Sequence, residues 1–188
     1  PRNLCEQILT RIRAADWQKH SWRNDANEVG YEAENELDIL ACPPDIQALL
    51  VPCLVQAATA YGAKFAYRDS PKTQTIVSKI SSVRFNRYLP GNVMRMHHDH
   101  IHSLFDGKER GIPVLSFVGN LNDDYEGGNL AIFGRISELC GGNLVFFGDY
   151  AVPLRAGDIA MFPSNFIYPH QVDEVTKAVR YSFVSWAW

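Results

Sequence analysis

The chain has 188 residues, 46% of them hydrophobic and 21% charged, with a formal net charge of −3. This is the profile of one ordinary globular domain with enough apolar residues for a real core. No Lys/Arg run is present, which argues against nucleic acid or an anionic membrane as the main partner, and no apolar stretch is read as reaching the ~20 residues of a membrane span. The four cysteines, Cys5, Cys42, Cys53 and Cys140, are scattered with no CxxC pair. Buried free thiols are therefore expected, in a reducing, cytoplasmic setting, and no secretory leader is visible.

Leu4, Ile8, Leu9 and Ile12 recur at three- and four-residue spacing, so residues 3–16 read as an amphipathic helix, with Trp17 closing it against the body. Residues 18–42 are polar and irregular and predict an acidic loop with a short strand near Leu37 to Leu40. Pro43, Pro44 and Asp45 mark a helix start, with the aspartate in the first turn where the helix dipole favours it. That helix should run towards Tyr61, kinked or split at Pro52 and stopped at Gly62. From about Ile76 the texture changes. Short alternating runs are predicted over 94–100, 113–120, 128–133, 143–147, 151–155, 158–162, 167–172 and 178–187, punctuated by Gly-Gly, Gly-Asp and Pro-Ser. Residues 127–134 (GGNLAIFG) are echoed by 141–148 (GGNLVFFG), which reads as a hairpin or two adjacent strands. Many short strands after two helices imply an antiparallel sandwich or barrel with helices packed outside.

Chemistry concentrates in Met96-His97-His98-Asp99-His100-Ile101-His102, which holds four of the six histidines. Imidazole and carboxylate suit Fe, Zn, Cu or Ni. Strand alternation offers two registers: Arg95, His97, Asp99 and Ile101 on one face, or Met96, His98, His100 and His102 on the other. The first, completed by the distant His170, makes two histidines and a carboxylate with positions left open on iron. The second is all-histidine and would suit zinc or copper. A metallo-β-lactamase pattern fails because position 95 is Arg. Each histidine alone is more often a hydrogen-bonded or solvated side chain than a ligand.

Tyr88-Leu89-Pro90-Gly91, five residues, then His97-His98-Asp99 resembles the Tyr-x-x-Gly-x5-His-x-Asp signature of prolyl 4-hydroxylase-like, Fe(II)- and 2-oxoglutarate-dependent oxygenases. Downstream, Glu126-Gly127-Gly128-Asn129-Leu130 resembles that family's acidic-Gly-Gly-x-Leu strand. The segment 156–164 (AGDIAMFPS) resembles its Gly-x-hydrophobic-Phe-Pro-Ser stretch. His170-Gln171-Val172 followed by Arg180-Tyr181-Ser182 resembles the distal His-x-Val and the basic residue about ten positions later. The resemblance covers roughly residues 76–188; the front half matches loosely.

The resemblance implies a mainly β double-stranded β-helix, a cupin-like jelly roll with flanking helices. It implies one domain over 1–188, with 1–75 a helical front and 76–188 the jelly-roll core. It selects His97, Asp99 and His170 as Fe(II) ligands and demotes His98, His100 and His102. It implies 2-oxoglutarate as co-substrate, O2 as oxidant and ascorbate as a candidate accessory reductant. On the alternating last strand Arg180, Ser182, Val184 and Trp186 share a face. A guanidinium fork with a hydroxyl two residues on fits the far carboxylate of 2-oxoglutarate. Tyr88 is expected to hydrogen-bond the co-substrate, with structural packing as the rival role, and Asn120 stands where some relatives carry a tyrosine that touches it. The expected reaction is hydroxylation of a C–H bond, of a prolyl or other residue in a peptide or protein, releasing succinate and CO2. Competing expectations are hydroxylation of a free amino acid or small metabolite, a catalytically silent jelly-roll binding module, and a zinc-dependent cupin-like enzyme. The segments 18–42 and 102–111 are candidate lids or groove walls.

Overall fold

A computed structural model of the chain describes residues 1–23, 29–31, 35–65, 77–99, 113–132 and 150–188. The helical front is α1 (Arg2–Ile12) and α2 (Pro44–Phe65). Cys5, Ile8, Leu9 and Ile12 are the buried stripe of α1, and Trp17 closes it as expected by donating its indole N–H to the Ile12 carbonyl at 2.9 Å.

Neither Pro52 nor Gly62 ends α2, which runs unbroken past both. Pro52 and Ala48 lie on the exposed face. The carbonyl that proline leaves without an N–H partner therefore belongs to a residue on the solvent side, while Ile46, Leu50, Leu54 and Ala58 hold the opposite face in the core. Contrary to the sequence reading, Pro44–Lys64 is long and apolar enough, by length and composition, to cross a membrane. In this fold that apolar content instead packs one face on the sheet and leaves Leu49 and Val55 exposed.

The front also contributes more strand than expected. It carries β1 (Gln18–Lys19), β2 (Trp22–Arg23), β3 (Val29–Tyr31) and β4 (Asp38–Ala41). The back follows as β5 (Arg84–Tyr88), β6 (Met94–His97), β7 (Leu115–Asn120), β8 (Glu126–Gly127), β9 (Leu130–Ile132), β10 (Tyr150–Val152), β11 (Ile159–Pro163), β12 (His170–Val172), β13 (Val175–Lys177) and β14 (Arg180–Ala187). The predicted strand 143–147, the second copy of the Gly-Gly echo, Cys140, His100, His102 and the loop 102–111 fall outside the described residues. Cys5, Cys42 and Cys53 are free thiols. Burial first, then the Asp45 charge, pushes the Cys42 thiol up to about 11, so it stays protonated and unreactive near neutrality.

A six-stranded sheet runs β1-β4-β5-β14-β7-β11 and a four-stranded sheet runs β10-β9-β12-β6. The pairings are antiparallel. Front strand β4 pairs with β5, so both halves of the chain share the large sheet.

Period-2 alternation assigns the two faces of this sheet. Phe85, Leu115, Phe117, Tyr181, Phe183 and Ala187 point towards the helices and form one core cluster. Tyr88, Val118 and Phe162 point the other way, meeting Met94, Leu130 and Val172 of the small sheet. Gly119 faces the helices, and a Cβ there would lie 2.0 Å from the Phe183 ring, so the glycine makes room for that ring. The expected jelly roll is thus present as two facing sheets with helices outside the larger one.

Candidate active site

The site lies between the sheets. β12 pairs with β6, His170 opposite His97 and Val172 opposite Met94. One residue on β12, Gln171, therefore faces two on β6, Arg95 and Met96, the signature of a β-bulge. The bulge reverses alternation within β6. Met94 enters the core and His97 turns inward as well, although the two have opposite parity. Simple alternation had placed Arg95 with His97; instead Arg95 is half exposed and reaches Glu36 at 3.3 Å. The strand predicted over 94–100 stops at His97, and Asp99 comes inward from just beyond its end.

His97, Asp99 and His170 each offer a ligand atom, all within 4.8 Å of one another. His97 Nε2 is 3.6 Å from Asp99 Oδ1, and His170 Nε2 is 3.7 Å from Asp99 Oδ2. Each imidazole has its Nδ1 against the backbone carbonyl two residues earlier, Arg95 for His97 at 2.7 Å and Tyr168 for His170 at 3.2 Å. With Nδ1–H donating there, Nε2 carries the free lone pair, the tautomer a metal needs. Ser116 donates its hydroxyl to Asp99 Oδ2 at 2.5 Å and is itself 2.7 Å from the Ser164 hydroxyl.

Burial, then the neighbouring His170, pushes His97 down to about 4. Burial works to raise the Asp99 carboxyl, but the His170 and His97 rings and the Ser116 hydrogen bond outweigh it and hold it below its ordinary value. Near neutrality His97 is a neutral imidazole and Asp99 a carboxylate, the protonation state that divalent-cation binding requires. His98, of the rival register, is not a member of this cluster.

Arg180 is 1% exposed. It pairs across the sheet with Tyr88, its guanidinium 4.9 Å from that ring and 5.9 Å from the Tyr125 ring. Nη1 donates to Ser182 Oγ at 3.1 Å, and Nε is buried without a partner. No carboxylate of the described residues lies within ion-pair distance. An unpaired buried cation is costly, and this one lines a cavity of about 290 Å³ together with Tyr125, Gly128, Leu130 and Arg155. Leu130 also lines the smaller cavity around the triad, of about 30 Å³, with Arg84, Asn86, Tyr88, His97, Asp99, His170 and Trp186. Burial raises the Tyr88 phenol, only partly offset by Arg180 and Arg84, so its O–H remains a donor near neutrality.

The Gly-Gly pair of the sequence finds its reason here. Gly127 and Gly128 both have positive φ, and a Cβ on Gly128 would lie 2.8 Å from Val175 and 3.0 Å from the Arg180 stem. Asn120 is fully buried opposite Ser182. Its Nδ2 is engaged by the Asn122 and Leu154 carbonyls and by the Tyr125 hydroxyl at 2.7 Å, leaving only Oδ1, an acceptor, without a partner. Asn120 is thus placed to hold Tyr125 rather than to donate to an anion.

Several site residues escaped the sequence reading. Tyr125 and Ser116 carry no motif. Trp186 was visible only as a residue on the Arg180 face. Trp22 packs edge-on against His97, ring centroids 5.3 Å apart, and donates to the fully buried Glu36 at 3.0 Å. Glu36 also faces His20 at 3.5 Å. No local pattern links residues 20–36 to position 97.

Residues 83–188, which contain the triad and Arg180, match the family described as the 2OG-Fe(II) oxygenase superfamily. The chain is 25% identical to a PKHD-type hydroxylase of Stenotrophomonas maltophilia (strain R551-3), over 94% of this chain and 69% of that protein. It is 32% identical to a PKHD-type hydroxylase of Picosynechococcus sp. (strain ATCC 27264 / PCC 7002 / PR-6), over 70% of this chain and 50% of that protein. Among solved structures it resembles a Pseudomonas putida prolyl-4-hydroxylase, with a TM-score of 0.63 and 20% identity, covering 100% of this chain and 87% of that one. A prolyl hydroxylase from Trichoplax adhaerens, solved with a hypoxia inducible factor oxygen degradation domain peptide fragment, gives a TM-score of 0.65 at 14% identity, covering 100% and 77%. These structures share the double-stranded β-helix fold with it. With more than half of its length, and every residue of the inward-facing cluster, inside the matched region, the chain belongs to the 2OG-Fe(II) oxygenase superfamily.

Proposed function

We propose that the chain hydroxylates a C–H bond of a prolyl or other residue in a peptide or protein, with Fe(II) held by His97, Asp99 and His170 and 2-oxoglutarate anchored by Arg180. The observation that carries this reading is the pairing of two features. His97 and Asp99 are already in their metal-binding protonation states beside His170, and a buried guanidinium nearby has no carboxylate of the described residues within ion-pair distance. Both kinds of orphaned atom fit the groups that the superfamily uses.

When bound, Fe(II) supplies O2 activation coupled to decarboxylation of 2-oxoglutarate to succinate and CO2, with one oxygen atom delivered to the substrate carbon. The protein's own part is orientation and exclusion of water. The Arg95 and Tyr168 carbonyls fix the two imidazole tautomers. Ser116 holds Asp99. Arg180 and Ser182 bind the far carboxylate of the co-substrate, Tyr88 donates its phenol towards it, and Asn120 acts through Tyr125. Leu130, Val172 and Val118 line the chamber and keep water from the reacting atoms.

The names of the Pseudomonas and Trichoplax structural neighbours support a prolyl residue as target, and the peptide in the Trichoplax complex supports a polypeptide substrate. Exposed Val114, Phe166 and Ile167, in the segments leading into Ser116 and His170, offer apolar surface for a chain to lie on.

The deciding experiment incubates iron-loaded protein with 2-oxoglutarate, O2 and, in separate arms, a proline-containing peptide library or free amino acids, followed by mass spectrometry. Peptides gaining one oxygen atom, with matching succinate, are expected. Products only from free amino acids would favour a small-molecule substrate, and 2-oxoglutarate binding without any turnover would favour a silent binding module.

A further inference from the structure

Arg84 opens β5 and points between the sheets, on the same face as Asn86 and Tyr88. It lines the triad's cavity, not the Arg180 cavity. Its register partner is Val184, whereas Arg180 is opposite Tyr88, four positions further along β5. At the rise of a β-strand this separates the two guanidinium-bearing positions by about 13 Å, one on each side of the chamber. The arginines of β5 also differ in what they touch. Arg87, on the outer face, pairs with Asp38 at 2.8 Å. Arg84 has no carboxylate of the described residues within 4 Å. Its Nε donates to Asn86 Oδ1 at 3.2 Å, and its guanidinium lies 5.7 Å from the Trp186 ring centroid. Asp99, the carboxylate of the cavity, is committed to the two imidazoles and Ser116. A planar cation stacked on an indole, braced by a carboxamide and facing a cavity is a preorganised fork for a carboxylate. The co-substrate's far carboxylate is met by Arg180, so Arg84 is left for the other reactant.

We propose that Arg84 anchors a carboxylate of the substrate at the end of the site away from Arg180. This rests on the oxygenase reading above and sharpens it: the target residue carries an acidic neighbour or is itself chain-terminal. Two matched probe pairs separate these sources. Acetyl-Asp-Pro-Gly amide is compared with its Asn counterpart, and acetyl-Gly-Pro as free acid is compared with its amide. Each is titrated calorimetrically into the anaerobic Fe(II), 2-oxoglutarate-loaded wild type, R84Q and R84K.

In at least one pair the acid should bind wild type about tenfold more tightly than its neutral isostere, the size expected of a charge-assisted hydrogen bond. In R84Q the preference should shrink to about twofold or less, and R84K, which keeps the charge but not the fork, should retain part of it. The pair that discriminates identifies the source of the carboxylate. Equal affinities in both pairs, no binding of any probe to wild type, or a preference that survives R84Q would overturn the assignment. So would a tenfold loss of 2-oxoglutarate affinity in R84Q, which would put Arg84 on the co-substrate (about 1.4 kcal/mol). Failure of iron-loaded wild type to bind 2-oxoglutarate would overturn the oxygenase reading and the assignment with it. Intact 2-oxoglutarate binding without acid preference overturns the assignment alone.

Discussion

Replacing Arg180 by methionine should move stability and co-substrate affinity in opposite directions. In the ligand-free protein this residue is 1% exposed, its guanidinium donates to Ser182, and its buried Nε has no partner among the described residues. A buried unsatisfied donor costs about 1–3 kcal/mol, more when charged. The adjoining cavity admits water, which lowers the cost, so about 1–2 kcal/mol is a reasonable gain for an apolar side chain of similar length. For a chain of this size that corresponds to a rise in Tm of about 2–8 °C. Under the proposed co-substrate role, the same change would remove two charge-assisted hydrogen bonds to the far carboxylate of 2-oxoglutarate. That is about 3 kcal/mol or more, a loss of about a hundredfold or more in affinity. Scanning fluorimetry without ligand and calorimetric titration of 2-oxoglutarate into the iron-loaded protein read the two effects. A lower Tm with unchanged 2-oxoglutarate affinity would refute the reasoning, because it would make Arg180 a structural residue.

Three further outcomes follow from neighbouring contacts. S116A removes the donor that holds Asp99 at 2.5 Å and should weaken Fe(II) binding about 10–100-fold, measured by metal titration. G128A puts a Cβ 3.0 Å from the Arg180 stem at a φ of +62°; it should destabilise by about 1–2 kcal/mol from the backbone alone and raise the KM for 2-oxoglutarate more than it lowers kcat. The metal-free protein should lose stability as pH falls from about 6.5 to about 4. In that window the unfolded chain protonates His97 while the fold holds it neutral. H97Q should flatten that part of the Tm–pH curve.

The legible parts of this protein are those encoded by local pattern. The amphipathic stripe of α1, the turn-punctuated strands and the alternation of β14 could be read directly. The same alternation placed Arg180 and Ser182 on one face, and β14 keeps that register over its whole length. It failed at β6, where a bulge puts Met94 and His97 on the same side; hydrophobic period does not reveal where an extra residue enters a ladder. The pairing of His97 with Asp99 came from the resemblance, since periodicity left two registers open. Local propensity predicts a kink or split at Pro52 and a stop at Gly62; the helix is neither split nor stopped there, because packing of Ile46, Leu50, Leu54 and Ala58 carries it through. Arg84, Tyr125 and the Trp22–Glu36–His20 group depend on contacts between distant segments, so no spacing within the sequence announces them.

The most direct test of the central claim is the visible spectrum of the anaerobic protein with Fe(II) and 2-oxoglutarate, recorded for wild type, D99A and H98Q. A weak charge-transfer band is expected in wild type and H98Q and should be absent in D99A. No band in wild type, or a band lost in H98Q but kept in D99A, would contradict the assignment of His97, Asp99 and His170 as the iron site.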